Sequence, residues 1–173
     1  MNSKPLIVTE RLELWLPVSG DIPKILAIVT QPETSRHLGP PSTEADNFTR
    51  FQRNAGSWFL FGYGLFMIRE RGQPEVIGNC GIFHSFRGLG DDFDNQPEAG
   101  WILGADHVGK GYASEIMGAV FSWFDEKFGP QRVVCMINPE NTPSLNLAQK
   151  MRFSKMREAI MVDAPVVLLE RSA

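Results

Sequence analysis

The stretch Trp101-Ile102-Leu103-Gly104-Ala105-Asp106-His107-Val108-Gly109-Lys110-Gly111-Tyr112-Ala113-Ser114-Glu115 decides how this chain is read. An apolar strand runs into a glycine turn, and an amphipathic helix begins at once. Such a turn gathers unpaired backbone N–H groups at the positive end of a helix. A diphosphate fits there, and glycine lets the backbone come close. The plain alternative is a strand-to-helix turn whose glycines serve only positive φ. A Walker loop needs Ser or Thr after Gly104-x-x-x-x-Gly109-Lys110, but Gly111 stands there and no metal-holding Asp strand follows. The dinucleotide fingerprint fails too, because Ser114 takes its last glycine position and the ribose-binding acid is missing. A metal-free diphosphate binder survives both tests.

Outward from this loop, apolar periodicity lays out the chain. Leu12, Leu14 and Leu16 alternate with Glu13 and Trp15, predicting a strand over residues 6–16. Ser19-Gly20-Asp21 offers a cap for a helix carrying Ile22, Ile25, Leu26, Ile28 and Val29, with Pro23 in its first turn. The Gly39-Pro40-Pro41-Ser42 loop leads to a second helix, capped by Ser42 or Thr43 and running to about Trp58, with Phe48 and Phe51 inward. Residues 62–68 and 75–86 read as strands around a turn at 71–74, and 98–103 as a third beyond a polar loop at 87–97. A helix from Tyr112 is stopped by Gly129-Pro130. A strand at 132–137, a helix at 142–151 and a hairpin over 153–170, broken at 163–165, complete the order β-α-α-β-β-β-α-β-α-β-β. No repeat or linker interrupts it, so residues 1–173 are expected to form one α+β domain.

The 173 residues are 43% hydrophobic and 21% charged, which argues against wholesale disorder. A net charge of −3 offers no general attraction for nucleic acid. Cys80 and Cys135 are too few for a disulfide framework and read as small buried residues in a reducing, cytoplasmic setting. No apolar run approaches the ~20 residues of a membrane span.

Three motifs carry a family resemblance. Gly109-Lys110-Gly111-Tyr112-Ala113-Ser114-Glu115 is similar to motif A of the GCN5-related N-acetyltransferases (GNAT), in the form common in the RimJ/RimL-type branch, the ribosomal-protein N-acetyltransferases. Asn138-Pro139-Glu140-Asn141-Thr142-Pro143-Ser144 resembles the family's N/P-x-N-x-x-S after the fifth strand, and Thr9-Glu10-Arg11-Leu12-Glu13-Leu14 the branch's T-E-R-L-x-L opening. They fall in family order from about residue 9 to 160.

The resemblance implies a mostly antiparallel twisted sheet of about seven strands with helices on both faces. The parallel fourth and fifth strands would splay to hold acetyl-CoA. It implies an acetyl-CoA-dependent N-acetyltransferase in which an amine, a protein N-terminal α-amine or a small molecule, attacks the thioester directly in a ternary complex. The cofactor contacts carried over are Ile102 and Leu103 (amides to pantetheine), Val108, Gly109, Lys110, Gly111, Tyr112 and Ala113 (diphosphate), Asn141 (pantetheine) and Ser144 (thiol). No metal, nucleic acid or membrane enters this reading, and the protein would act as a monomer or homodimer. A non-catalytic acyl-CoA-binding regulatory or interaction module is the alternative.

A lysine amine with pKa ~10.4 is neutral about once in 2,500 at pH 7, and an α-amine near ~7.8 about once in seven. Deprotonation therefore costs about 5 kcal/mol for the first and about 1 for the second. Glu98 is the candidate base, or else a hydrogen-bonding strand residue. Three departures from the family pattern stand out. Asp106 replaces Gln or Arg, the usual general-acid Tyr is missing because the chain has only Tyr63 and Tyr112, and Arg152 takes the place of a helix-ending glycine. Ser144 or water would then serve the leaving thiolate. Asp91, Asp92 and Asp94 form either a solvated loop or one that steers a cationic acceptor. Residues 58–66 carry an aromatic run that reads as core or as an acceptor pocket.

Overall fold

The computed structural model describes residues 4–39 and 43–173. Its strands are β1 (Ile7–Val8), β2 (Leu12–Trp15), β3 (Leu65–Glu70), β4 (Gly78–Ser85), β5 (Gln96–Leu103), β6 (Val133–Ile137), β7 (Ser154–Met161) and β8 (Ala164–Arg171). The helices are α1 (Ile22–Val29), α2 (Pro32–Ser35), α3 (Glu44–Phe61), α4 (Tyr112–Phe128) and α5 (Thr142–Lys150). All eight strands join one sheet in the order β1-β2-β3-β4-β5-β6-β8-β7, antiparallel throughout except at β5–β6. The expected architecture holds, with eight strands in place of about seven. The added strand arises because 6–16 is two strands: the Thr9 N–H bonds Leu12 O and its hydroxyl accepts from Leu12 N–H, folding the chain back.

Alternation along β3 shows why the sheet is covered twice. Phe66 and Ile68 point to one face, against Ile116, Met117, Val120 and Phe124 of α4. Met67 points to the other, with Ile28 of α1, Phe51 of α3 and Ile102. Burying such side chains contributes roughly 2 kcal/mol each. Cys80 and Cys135 are both buried, as expected, and burial pushes both thiols up.

Phe48 departs from expectation: it is 46% exposed. It lies one residue, or about 100° of helix, from Asn47 on the line through Phe51, Asn54 and Trp58 that faces the sheet. Thr43 caps α3, its hydroxyl accepting from Asp46 N–H, while Pro40, Pro41 and the alternative cap Ser42 lie outside the described residues. Gly62 ends α3 instead of starting a strand, its φ of +77° closing the last turn. No helix among the described residues is long and apolar enough to cross a membrane.

Candidate functional site

β5 and β6 are paired at a single register point, Glu98 opposite Val134, and then part. β5 stays bonded to β4 along its whole length. Gly104 N–H bonds Ile77 O, and the Ile102 carbonyl lies over Gly78. Strand alternation therefore turns the peptide groups of Trp101 and Leu103 toward the gap, while those of Ile102, expected to offer an amide there, face β4, and Ile102 is left to line the cleft with its side chain. The gap opens a cleft of about 650 Å³, bordered by β4, β5, β6, α3 and the β7–β8 turn. Glu98, Ile102, Asn141 and Ser144 all line it.

Val108 to Ala113 form the turn beyond the end of β5. Gly109 and Gly111 both take φ +79°, a conformation that L side chains avoid. Glu115 N–H is the first to bond back within α4, to Gly111 O at 3.2 Å, so the amides of Tyr112, Ala113 and Ser114 have no intrahelical acceptor. A Cβ at Gly109 would meet nothing within 4 Å, so the turn is open on that side. These are the features a diphosphate requires.

The amino-terminal motif buttresses this turn. Glu115 accepts from Thr9 Oγ1 at 2.6 Å, Arg11 N at 2.9 Å and Arg11 Nε at 2.7 Å. Arg11 also donates to Lys110 O and lies 4.8 Å from the Tyr112 ring centroid. Burial pushes the Glu115 carboxyl up, but the Thr9 and Arg11 hydrogen bonds together hold it below the usual range. Tyr112 donates to Glu70 Oε1 at 2.7 Å, which lowers the Glu70 carboxyl and raises the phenol. The two sequence motifs at residues 9–14 and 109–115 are thus one physical unit.

Glu98 is 3% exposed and holds a two-pronged ion pair, accepting from Arg87 Nε at 2.6 Å and Arg87 Nη2 at 2.7 Å. Burial works against the Arg87 charge, and Glu98 with Asp94 more than restores it. Ser144 Oγ accepts from Trp101 Nε1 at 3.2 Å, which leaves the serine proton free to donate elsewhere. Asn141 caps α5, its Oδ1 accepting from Ser144 N–H at 3.2 Å, which fixes the side chain and leaves both amide N–H donors for a ligand.

Several expectations change. The acidic loop does not face the cleft: Asp92 pairs with Arg157 at 2.8 Å, and Asp94 accepts from the Arg87 and Gly90 amides. Phe93, fully buried among Val134, Val166 and Leu168, pins that loop to the sheet. None of the aromatic run at 58–66 lines the cleft; Phe66 is core and Phe59 is 89% exposed. Lining residues missed in the sequence are Arg50 and Arg53 of α3, Arg87, His37, Asn79, Ser85 and Trp101. Arg50 and Arg53, three apart on a helix, were the legible part of that set.

An acetyltransferase (GNAT) domain family model matches residues 11–154. An uncharacterized N-acetyltransferase, p20 of Bacillus licheniformis, is 28% identical over 151 residues, 86% of this chain and 82% of that protein. A solved GnaT-family acetyltransferase from Bordetella pertussis is 31% identical, superposes with a TM-score of 0.86 and covers 96% of this chain and 98% of its own. The structure of RimL, a ribosomal L7/L12 alpha-N-protein acetyltransferase in complex with coenzyme A, shares the fold at 17% identity and a TM-score of 0.72, covering 96% of this chain and 97% of its own.

Proposed function

We propose the following reading of a chain that belongs to the acetyltransferase (GNAT) family and is an N-acetyltransferase: its donor is acetyl-CoA and its acceptor a primary amine. The observation that carries this reading is the set of unpartnered amides at the α4 N-terminus, in the turn that follows β5, the strand whose parting from β6 opens the cleft. Gly109, Lys110, Gly111, Tyr112 and Ala113 hold the diphosphate through their main chain, with Arg11 and Glu115 keeping the turn rigid; Val108, expected to join them, has its N–H bonded to Ala105 O instead. Leu103 through its peptide group, Ile102 through its side chain and Asn141 through its amide donors take the pantetheine arm. When bound, acetyl-CoA supplies an acetyl group activated as a thioester.

The residues then divide the proton work. Glu98 takes, through a water, the proton the amine loses as its nitrogen bonds the acetyl carbon. Each carboxylate oxygen has a lone pair beyond the one Arg87 uses. Ser144, oriented by Trp101, directs its O–H to the departing sulfur as the C–S bond breaks. No second nucleophile is required, because the amine attacks directly. An α-amine, whose deprotonation costs about 1 kcal/mol at neutral pH against about 5 for a lysine, asks less of a single carboxylate and is the favoured acceptor. Likeness of fold to RimL supports the same preference and the RimJ/RimL-type placement. Residues 1–173 are taken as one acetyltransferase domain working in the cytoplasm.

Titration calorimetry with acetyl-CoA, followed by thiol release against a panel of amines, tests this reading. Saturable binding below about 1 mM and amine-dependent thiol release are expected. Absence of binding at that concentration ends it.

A further inference from the structure

Charge in the cleft runs opposite to charge on the molecule. The chain carries −3 overall. Among the described lining residues, three guanidinium groups, Arg50, Arg53 and Arg87, face one carboxylate, Glu98. Arg87 spends its charge on Glu98. Among the described residues, no carboxylate lies within salt-bridge distance of Arg50 or Arg53. The acid nearest in sequence, Asp46, is held at the α3 cap by Thr43 N–H and Oγ1.

The helix that carries them is fixed in rotation. Arg50, Arg53, Asn54 and Ser57 follow the i, i+3, i+4, i+7 rule and so share one face of α3. Asn54 exchanges hydrogen bonds with the Leu65 main chain, and Ser57 bridges Tyr63 O and His84 N. That stitching presents the two arginines to the cleft. Burial lowers the Arg50 group, the charges of Arg53 and Arg87 lower it further, and the charge of Asp46 offsets this only in part. Buried polar atoms of the same lining also lack partners: His37 Nδ1, Asn79 Oδ1 and Ser85 Oγ make no hydrogen bond among the described residues, and all three residues line the cleft.

We infer that the acceptor carries, besides its reacting amine, an oxyanion (a carboxylate or a phosphate) that pairs with Arg50 and Arg53. Guanidinium groups match both oxyanions with paired N–H donors. The cofactor's diphosphate is assigned to the turn at 108–113, whose residues do not line this cleft, so the arginines are left for the second substrate. The same cations disfavour an ammonium and so favour the neutral, attacking amine.

The inference rests on the acetyl-transfer reading, and the test separates the two. Matched α-amines are compared in two arms: aspartyl-alanine amide against asparaginyl-alanine amide, and O-phosphoserine amide against serine amide. Thiol release gives kcat/KM. Calorimetry, with coenzyme A saturating, gives acceptor binding independently of turnover. The anionic member is expected to lead by at least tenfold in one arm or both, and the stronger arm identifies the oxyanion. Raising salt should erode that lead. Arg50→Gln with Arg53→Gln should collapse the ratio toward one, while Arg50→Lys with Arg53→Lys should keep most of it. Equal or reversed ratios in the unaltered protein, ratios untouched by the glutamines, or loss of anion binding once coenzyme A is bound would each overturn the inference. Binding of the anionic amine without thiol release would sustain it and refute acetyl transfer instead.

Discussion

At Glu98, burial and pairing set the chemistry. Its carboxylate is locked to Arg87 by two short hydrogen bonds and is almost out of water. Glu98→Gln should lower kcat/KM about a hundredfold and flatten its alkaline rise, leaving acetyl-CoA affinity unchanged. A pH–rate profile checks this, and an unaltered profile removes Glu98 as proton acceptor. The substitution should also cost up to about 3 kcal/mol of stability, because it strands the Arg87 charge. Gly109→Asp acts at the other end of the site. It places a carboxylate beside the diphosphate position and demands positive φ of a side-chain residue. Like charges about 4 Å apart at intermediate dielectric cost about 4 kcal/mol. Calorimetry should therefore show acetyl-CoA binding lost, while circular dichroism stays native.

At the scale of elements, the helix termini hold the readable energetics. α5 closes with Arg152 N–H bonded to Gln149 O, Phe153 N–H to Ala148 O, and Arg152 itself at φ +66°. This is a Schellman closure with an arginine where glycine is favoured. Arg152→Gly should stabilise the fold by about 1 kcal/mol, seen as a rise of roughly 2–4 °C in the unfolding midpoint. The start of α4 depends on a different contact. The folded carboxyl of Glu115 sits below its unfolded value of about 4.3, so its contribution is full at neutral pH and is lost as pH falls through about 4 and below. Glu115→Gln should remove about 2 kcal/mol at pH 7 and reduce the acid-driven fall in stability. Melts at a series of pH values decide it; parallel curves for the two proteins would refute the buttress.

These same elements show what was legible in the sequence. The α4 start at Tyr112 and its end before Gly129 could be read directly, because glycine, periodicity and proline all agree there. β1 and β2 merged into one predicted strand, since the turn at Thr9 to Leu12 is held by a threonine hydroxyl and contains neither glycine nor proline. Glu98 was identified by its place before the glycine turn, but its partner Arg87 sits eleven residues earlier, on a loop whose position depends on Phe93. Arg50 and Arg53 carry no local signal beyond their helical spacing; Asn54 and Ser57, by fixing the rotation of α3, bring them to the cleft. Tertiary contacts, invisible to local pattern, made each of these assignments.

At the scale of the whole molecule, the divergence of two strands makes the site. A continuous sheet would bury β5 against β6; here one register point holds them, and the rest opens toward an amide-rich helix end. Acetyl-CoA should therefore raise the unfolding midpoint in a concentration-dependent way, by about 3 kcal/mol of stabilisation at a hundred times its Kd. The most direct measurement is residue-resolved: amide nitrogen–proton spectra of the labelled protein titrated with acetyl-CoA. The amides of Gly109 to Ala113 should shift together and saturate with the calorimetric Kd, their protons moving downfield as they bond phosphate oxygens. Saturable binding that leaves those five amides in place would contradict the account.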